Sequence, residues 1–297
     1  MSQLTLKQGK KVHVVVPMYN DWEGLRRLFS SFVEARGDGA IELTVVDNDS
    51  SDEAPSWLAE IQREINLHVC REKGSYSARN YGLRFVDGDI IVFTDSDCEL
   101  DSGYFLALRE FYSLPENEHA LMAGAVSVQP SNPRLVGALE AYDCVLGLPQ
   151  KRYVSKGYAV TANLAVPATV FEEIGFFDEK HFSGGDAEFC RRAVKANFKL
   201  KYNGEAVVKH PARREFKEFR KKISRVIGAQ IGRAGTKGKL VLLFSIFLFP
   251  AISWLRILMA EKPLPLRMKA FLAVPVLSLT RFYYYLYHLL PFSHSQR

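Results

Sequence analysis

The chain has 297 residues, 47% of them apolar, with 39 Lys plus Arg against 33 Asp plus Glu. This composition excludes collagen-like, low-complexity and disordered classes and suffices for a real core. The length fits one large domain of roughly 200 residues with an appendage. Cys70, Cys98, Cys144 and Cys190 form no C-x-x-C pair and lie at no metal-finger spacing with histidine, so reduced thiols are expected rather than a disulfide or zinc scaffold. The polar start, Met1 to Lys11, lacks the apolar core of a secretory signal, which places the bulk of the chain in the cytoplasm as an expectation.

From Val12 onward short apolar runs alternate with amphipathic stretches: VHVVV then DWEGLRRLFSSFVEA, IELTVV then SDEAPSWLAEIQREI, LHVC then SYSARNYGLRFV, DIIVFT then SGYFLALREFY. Four β-then-α units predict an α/β fold with a doubly wound, mainly parallel sheet and helices on both faces. Ligands of such sheets bind beyond the carboxyl ends of the strands. The residues at those ends are Pro17, Tyr19 and Asn20, then Asp47, Asn48 and Asp49, then Arg71 to Gly74, then Asp95, Ser96 and Asp97. Singly, each reads equally well as a turn or cap residue, as Asp49, Ser50 and Ser51 do ahead of Pro55. The run DSDCE is different: its acidic residues, directly after an apolar strand, repel one another unless a cation or solvent relieves them, and a hard divalent ion is the natural partner. No G-x-x-x-x-G-K-[ST] occurs and no G-x-G-x-x-G follows the first strand, which excludes P-loop and ordinary dinucleotide folds.

Further along, GYAVTANLAVPATVF reads as a β-rich stretch with Pro167 opening a helix. DAEFCRRAVKA reads as a helix in which Asp186 is an N-cap, a carboxylate presented to a cleft, or both. In VVKHPAR, His210 follows the last core strand and precedes a basic helix.

These segments, in this order and spacing, resemble the family 2 glycosyltransferases of the GT-A fold: VVVPMYN (14–20), TVVDNDSSD (44–52), KGSYSARNYGL (73–83), FTDSD (93–97), NLAVPATVFEEIGFFDE (163–179) and GGDAEFCRR (184–192). The resemblance covers roughly Val12 to His210. It implies a nucleotide-sugar donor and a divalent cation, Mn2+ or Mg2+, held by Asp97 with Asp95 and His210, where Asp95 also approaches the ribose. It further implies that Asp47 bonds a uracil edge, that Pro17, Tyr19, Asn20 and Ser96 lie at the nucleotide, and that Arg79 helps hold it. An exposed helical arginine and a surface histidine are the plain alternatives for Arg79 and His210. For one-step inversion a base must face the leaving group from the opposite side, and the resemblance gives that role to Asp186. The family's usual Glu-Asp is here Gly185-Asp186, with Glu188 as fallback base, and Asn163, Gly185 and Glu188 are expected to line the donor and acceptor pocket. Gln129 to Ser155 is expected to form acceptor-side loops and a helix.

Charge divides the chain: Met1 to Val208 carries 22 basic and 30 acidic residues, Lys209 to Arg297 carries 17 and 3. The tail also holds LVLLFSIFLFPAISWL (240–255) and an apolar segment at 270–290 rich in tyrosine. The first is short of the ~20 residues a span needs and contains Pro250; the second is interrupted by Pro275 and Arg281. Interfacial or re-entrant helices, with the basic helix against anionic lipid, therefore fit better than a spanning hairpin. An apolar helical pair packed on the catalytic domain or in a homo-oligomer interface is the competing reading. The domain plan expected is an N-terminal tail (1–11), a GT-A-like catalytic domain (12–212), a basic helical linker (213–239) and an apolar membrane-associated segment (240–297).

Together these features point to single-sugar transfer to a lipid-linked or cell-surface glycan at the cytoplasmic face of the membrane, since the Gln-x-x-Arg-Trp of processive synthases is missing. The alternatives are a non-catalytic, membrane-bound nucleotide-sugar-binding protein and a phosphotransferase. The latter would want its Asp pair on the opening strand with Thr or Val two residues on, whereas Cys98 and Glu99 follow here. Nucleic-acid binding is disfavoured because the basic helix leads into apolar sequence.

Overall fold

The structure is a computed structural model and describes residues 10–37, 40–181 and 183–290. Most of the expected N-terminal tail, at 1–9, lies outside the described residues. The chain divides into two compact units. One comprises Met1–Ser127, Pro149–His181 and Gly185–His210; the other comprises Val128–Leu148, Phe182–Gly184 and Pro211–Arg297.

The first unit is built on strands β1 (Val12–Met18), β2 (Ile41–Asp47), β3 (Asn66–Val69), β4 (Ile90–Thr94), β5 (Glu99–Leu100), β6 (Leu121–Gln129), β7 (Asn163–Pro167) and β8 (Leu200–Pro211). They form one sheet in the order β3-β2-β1-β4-β7-β6-β8-β5. β3, β2, β1 and β4 run parallel, while β7 is antiparallel to β4 and β6, and β5 to β8. The order reverses between β1 and β4, the switch point at which a crevice opens beyond the carboxyl ends.

In that unit α1 (Trp22–Arg36), α2 (Leu58–Ile61), α3 (Ser75–Gly82) and α4 (Tyr104–Ser113) follow the first strands; α6 (Gln150–Val154) precedes β7, and α7 (Ala168–Ile174) and α8 (Gly185–Lys195) follow it. Between them in sequence, α5 (Ala138–Leu146) belongs to the second unit. The central strands β1, β4 and β7 are buried on both faces. Val12, Val14 and Val16 of β1 join a cluster with Leu25, Leu28 and Phe32 of α1 and Phe105 and Leu108 of α4. Val15, with Ile91 and Phe93 of β4, joins Val170 of α7 and Phe189 of α8 on the other. Helix α1 starts where the Asp21 carboxylate accepts the Gly24 N–H at 3.1 Å, and it ends at Gly37, whose φ of +54° suits glycine. Each of its buried side chains contributes roughly 1.5–3 kcal/mol, well above a surface ion pair, so the apolar stripe fixes the helix. Gly82 lets α3 lie directly on the sheet, because a Cβ there would come within 2.8 Å of Val15 and 2.9 Å of Val46.

The second unit is helical: α5, α9 (Phe216–Arg233), α10 (Thr236–Met259) and α11 (Leu264–Leu289). Phe219, Ile223, Ile227 and Ile231, four apart along α9, pack with Ile246, Ala273, Leu277 and Tyr285. The segment expected to be a basic linker is thus a core helix of this unit, and α5 belongs with it rather than with the sheet. Asp143 of α5 is fully buried and paired with Arg213 at 3.0 Å. The expected interruption at Pro275 and Arg281 is not met, since α11 runs through both; α10 likewise runs through Pro250 for 24 residues, about 36 Å, with a mean hydropathy of 2.1 over its most apolar stretch. By length and composition it is able to cross a membrane.

Candidate active site

Polar residues from four strands meet at the carboxyl edge. Pro17 is half-buried near the end of β1, and Tyr19 projects 60% exposed beyond it. Asn20 takes a positive φ of 49°, donates its N–H to Ser50 Oγ at 2.8 Å and accepts the Ser51 N–H on Oδ1 at 2.8 Å. Asp47 ends β2 and accepts from the N–H and hydroxyl of Ser50 at 3.0 and 2.5 Å. Asn48 staples the next turn, donating to the carbonyls of Cys70 and Glu72 and accepting the Gly74 N–H at 2.9 Å. These bonds lace the first loops into one rigid rim and explain why Asn, Asp and Ser recur there.

Asp95, Asp97 and Cys98 after β4 come together with His210 of β8, each offering a ligand atom within 4.8 Å of the others. His210 Nε2 lies 3.6 Å from Asp97 Oδ2. Burial and the two neighbouring carboxylates push the Cys98 thiol well above its ordinary pKa, so it stays protonated and is a poor ligand. Two carboxylates and an imidazole remain, a donor set suited to Mn2+ or Mg2+. Arg79 is no exposed helical arginine: only 3% exposed, it donates to Asp95 Oδ1 at 2.5 Å and to the Ser75 carbonyl at 3.1 Å. It therefore fixes one of the two carboxylates.

Asp186 opens α8. Its N–H donates to the Tyr76 hydroxyl at 3.1 Å, and its own carboxylate accepts the Ala187 N–H at 2.8 Å. The carboxyl keeps partial exposure, yet enough protein surrounds it that burial raises its pKa above the ordinary carboxylate range, against the lowering effect of the Ala187 N–H and Arg79. Asp95 and Arg79 both act on Asp186 electrostatically, which brings the base candidate and the carboxylate cluster into one field. Tyr76, which the motif reading passed over, is the link. Its only signal in the sequence is the three-residue spacing to Arg79, which puts both on one face of α3.

Three expected site residues have their side chains tied to partners within the chain. Asn163 is fully buried: its amide donates to the Ala125 and Ala206 carbonyls at 2.8 and 2.9 Å, and its Oδ1 accepts the Tyr104 hydroxyl at 2.9 Å. It knits strands together and offers a sugar no amide atom. Ser96 donates its hydroxyl to Asp21 at 2.7 Å, latching the loop to the cap of α1. Glu188 is paired with Arg192 at 2.9 Å one turn along α8, and Arg192 in turn donates to the carbonyls of Ile174 and Phe176. That makes Glu188 a structural anion. Gly185, buried against the Tyr76 ring, lies beside the base.

A mixed, mainly parallel sheet with a switch-point crevice and a carboxylate cluster at its edge is the architecture of GT-A glycosyltransferases. The family model for glycosyl transferase family 2 matches residues 13–155, and that for glycosyl transferase family group 2 matches residues 90–293. The chain is 32% identical over 230 residues to the glycosyltransferase AglE of Haloferax volcanii, a match covering 74% of this chain and 73% of that protein. It is 30% identical over 220 residues to the pre-mycofactocin glycosyltransferase of Mycobacterium tuberculosis, covering 71% of this chain but 44% of the other. Among solved structures it is similar to the mannosyltransferase PcManGT from Pyrobaculum calidifontis in complex with GDP-Man and Mn2+, with a TM-score of 0.63 at 16% identity, covering 98% of this chain and 89% of that one. Residues 1–349 of S. aureus TarS in complex with UDP-GlcNAc match with a TM-score of 0.52 at 18% identity, covering 89% and 72%. The chain belongs to glycosyltransferase family 2.

Proposed function

We propose that the chain transfers a single sugar, with inversion, from a UDP-linked nucleotide sugar to a hydroxyl of a lipid-linked or cell-surface glycan, with Mn2+ or Mg2+ as cofactor, at the cytoplasmic face of the membrane. The observation that carries this is a continuous line of side chains: His210 beside Asp97, Asp97 beside Asp95, Asp95 held by Arg79, and Arg79 on the helix whose Tyr76 reaches Asp186. Asp95, Asp97 and His210 would hold the cation. When bound, the cation supplies neutralisation of the charge that builds on the departing diphosphate.

The other roles belong to this chain's own groups. The exposed Tyr19 ring and Pro17 pack beside the base, and Asp47, with one oxygen anchored by Ser50, accepts from the uracil edge. Arg79 acts through Asp95, which it orients toward the ribose. Asp186 takes the proton from the acceptor hydroxyl as that oxygen attacks the anomeric carbon. Burial makes it a stronger base than an exposed aspartate, and it works only when ionised, so turnover falls as pH drops through its raised pKa.

The helical unit supports the membrane surface as its place of work. Phe244, Phe247, Leu255, Leu258, Leu272 and Leu279 are exposed on α10 and α11, and α9 carries exposed Lys217, Arg220, Lys221 and Arg225. The test is a panel of UDP-, dTDP- and GDP-sugars assayed for Mn2+-dependent nucleotide release. Release from at least one is expected, and release from none would overturn the proposal.

A further inference from the structure

Tyr76 is 7% exposed and stacks on Phe177 with ring centroids 5.7 Å apart, so packing alone accounts for an aromatic ring there. Packing does not account for its hydroxyl. That oxygen receives the Asp186 N–H, one of the N–H groups a helix start leaves without an intrahelical partner, and so does from α3 what an N-cap side chain does locally. So placed, the hydroxyl also favours the ionised form of the Asp186 carboxyl. On its other side the ring leaves no room at position 185: a Cβ built on Gly185 would lie 2.8 Å from Cε2 and 2.9 Å from Cζ of Tyr76. Any side chain at 185, including the glutamate of the Glu-Asp pattern, must displace this ring. One turn along α3, Arg79 sits 5.8 Å from the same ring and holds Asp95. A single short helix therefore holds both the Asp95 carboxylate and the turn that carries Asp186.

We propose that Tyr76 is the positioning residue for the base, its hydroxyl pinning the first turn of α8 by the Asp186 N–H and so placing the carboxylate that this turn carries, and that Gly185 is glycine because the Tyr76 ring occupies the space beside it. The proposal rests on Asp186 being the base. The charged and titratable groups acting on that carboxylate are Arg79, Asp95 and Tyr76, with Tyr158 and Cys190 also in its field. A hydroxyl that donates to a carboxylate favours the ionised form, so deleting it shifts the titration of Asp186 to higher pH.

The test uses Tyr76→Phe, which keeps the ring and removes the oxygen, and Gly185→Ala, which keeps the oxygen and crowds the ring. Both are compared with the full-length parent in pH–rate profiles on UDP-glucose, UDP-GlcNAc and GDP-mannose with Mn2+. In parallel, difference infrared titration follows the Asp186 carboxylate band, assigned with Asp186→Asn. Tyr76→Phe is expected to lower kcat about tenfold with donor KM within about twofold of the parent, and to move both the acid limb and the band to higher pH. Gly185→Ala is expected to move the band in the same direction. A merely structural tyrosine would lower thermal stability and leave band and profile in place, and that result in both variants overturns the proposal. A parent that turns over no donor defeats the assignment of Asp186 as base, whereas the infrared band alone still reports whether the hydroxyl reaches the carboxylate.

Discussion

Two clusters of histidine and carboxylates sit on opposite edges of the same sheet, and they differ in what neutralises them. At the amino edge, His13, Glu42 and Asp87 gather at the starts of β1, β2 and β4, and the Lys11 ammonium bridges Glu42 and Asp87 at 2.8 and 2.7 Å. At the carboxyl edge, Asp95, Asp97 and His210 gather with one guanidinium, Arg79, committed to Asp95. The first cluster carries its cation within the chain, and burial keeps the His13 imidazole toward its neutral form. The second pairs Asp97 with an imidazole, which is itself a metal ligand. The same residue types thus make a structural clasp at one end of the strands and a candidate cation site at the other, the end at which the switch-point crevice lies.

The sharpest way to break this contrast is to exchange carboxylates at the two edges. Asp97→Ala is expected to reduce Mn2+-dependent turnover by on the order of a thousandfold and to abolish metal-dependent donor binding, while Glu42→Gln leaves turnover within about twofold of the parent because that edge does no chemistry. Calorimetric titration of Mn2+ with UDP, alongside initial rates, reads both. Next in size, Asp186→Asn is expected to cost about 100-fold to 10,000-fold in kcat while metal-dependent donor binding persists. The reverse pattern for Asp97 and Asp186 would exchange their roles. A pH series sharpens the comparison further: the acid limb of kcat should lie above the ordinary carboxylate range, because burial raises Asp186, and a limb at or below that range contradicts the assignment.

Away from the chemistry, Asn163→Ala strands the Tyr104 hydroxyl and two carbonyls and should lower stability by about 2 kcal/mol, measured by denaturant midpoint, without altering donor preference. The smallest effect is expected from Lys11→Met, which removes the amino-edge cation. A slight loss of melting temperature that added salt erases, with unchanged Mn2+ dependence, is the expected outcome. Asp87 is held below its ordinary pKa by Lys11, so this contribution is present at neutral pH and lost as pH falls through that lowered value.

Much of this geometry was legible in the sequence, for a physical reason: ligand residues of a parallel sheet must follow its strands, and the alternation of β-branched runs with amphipathic stretches locates those ends. Asp47, Asp95 and Asp97 are found that way, and the motif resemblance adds His210 and Asp186. Asn163 was not legible, because NLAVP is buried at every position and local pattern cannot say that a polar residue at a strand start turns inward to satisfy carbonyls. Ser96 lies between the two aspartates in sequence, yet in the turn after β4 its hydroxyl goes to Asp21, a contact across the chain that the motif does not report. The contact between Tyr76 and Gly185 and the membership of α5 in the helical unit depend on segments far apart in the chain, which no window of sequence reports. Pro275 does not interrupt the second apolar segment, because the surrounding turns of α11 hold the helix across it.

The central claim is that one crevice, at the carboxyl edge, seats both the cation and the base. Anomalous diffraction from crystals grown with Mn2+ and UDP tests it most directly. A manganese peak bound by Asp97 on one side of a UDP, with the Asp186 carboxylate facing the place the sugar would occupy, is the predicted result. A peak at His13, Glu42 and Asp87, or a UDP whose diphosphate leaves Asp186 in a separate pocket, would contradict it.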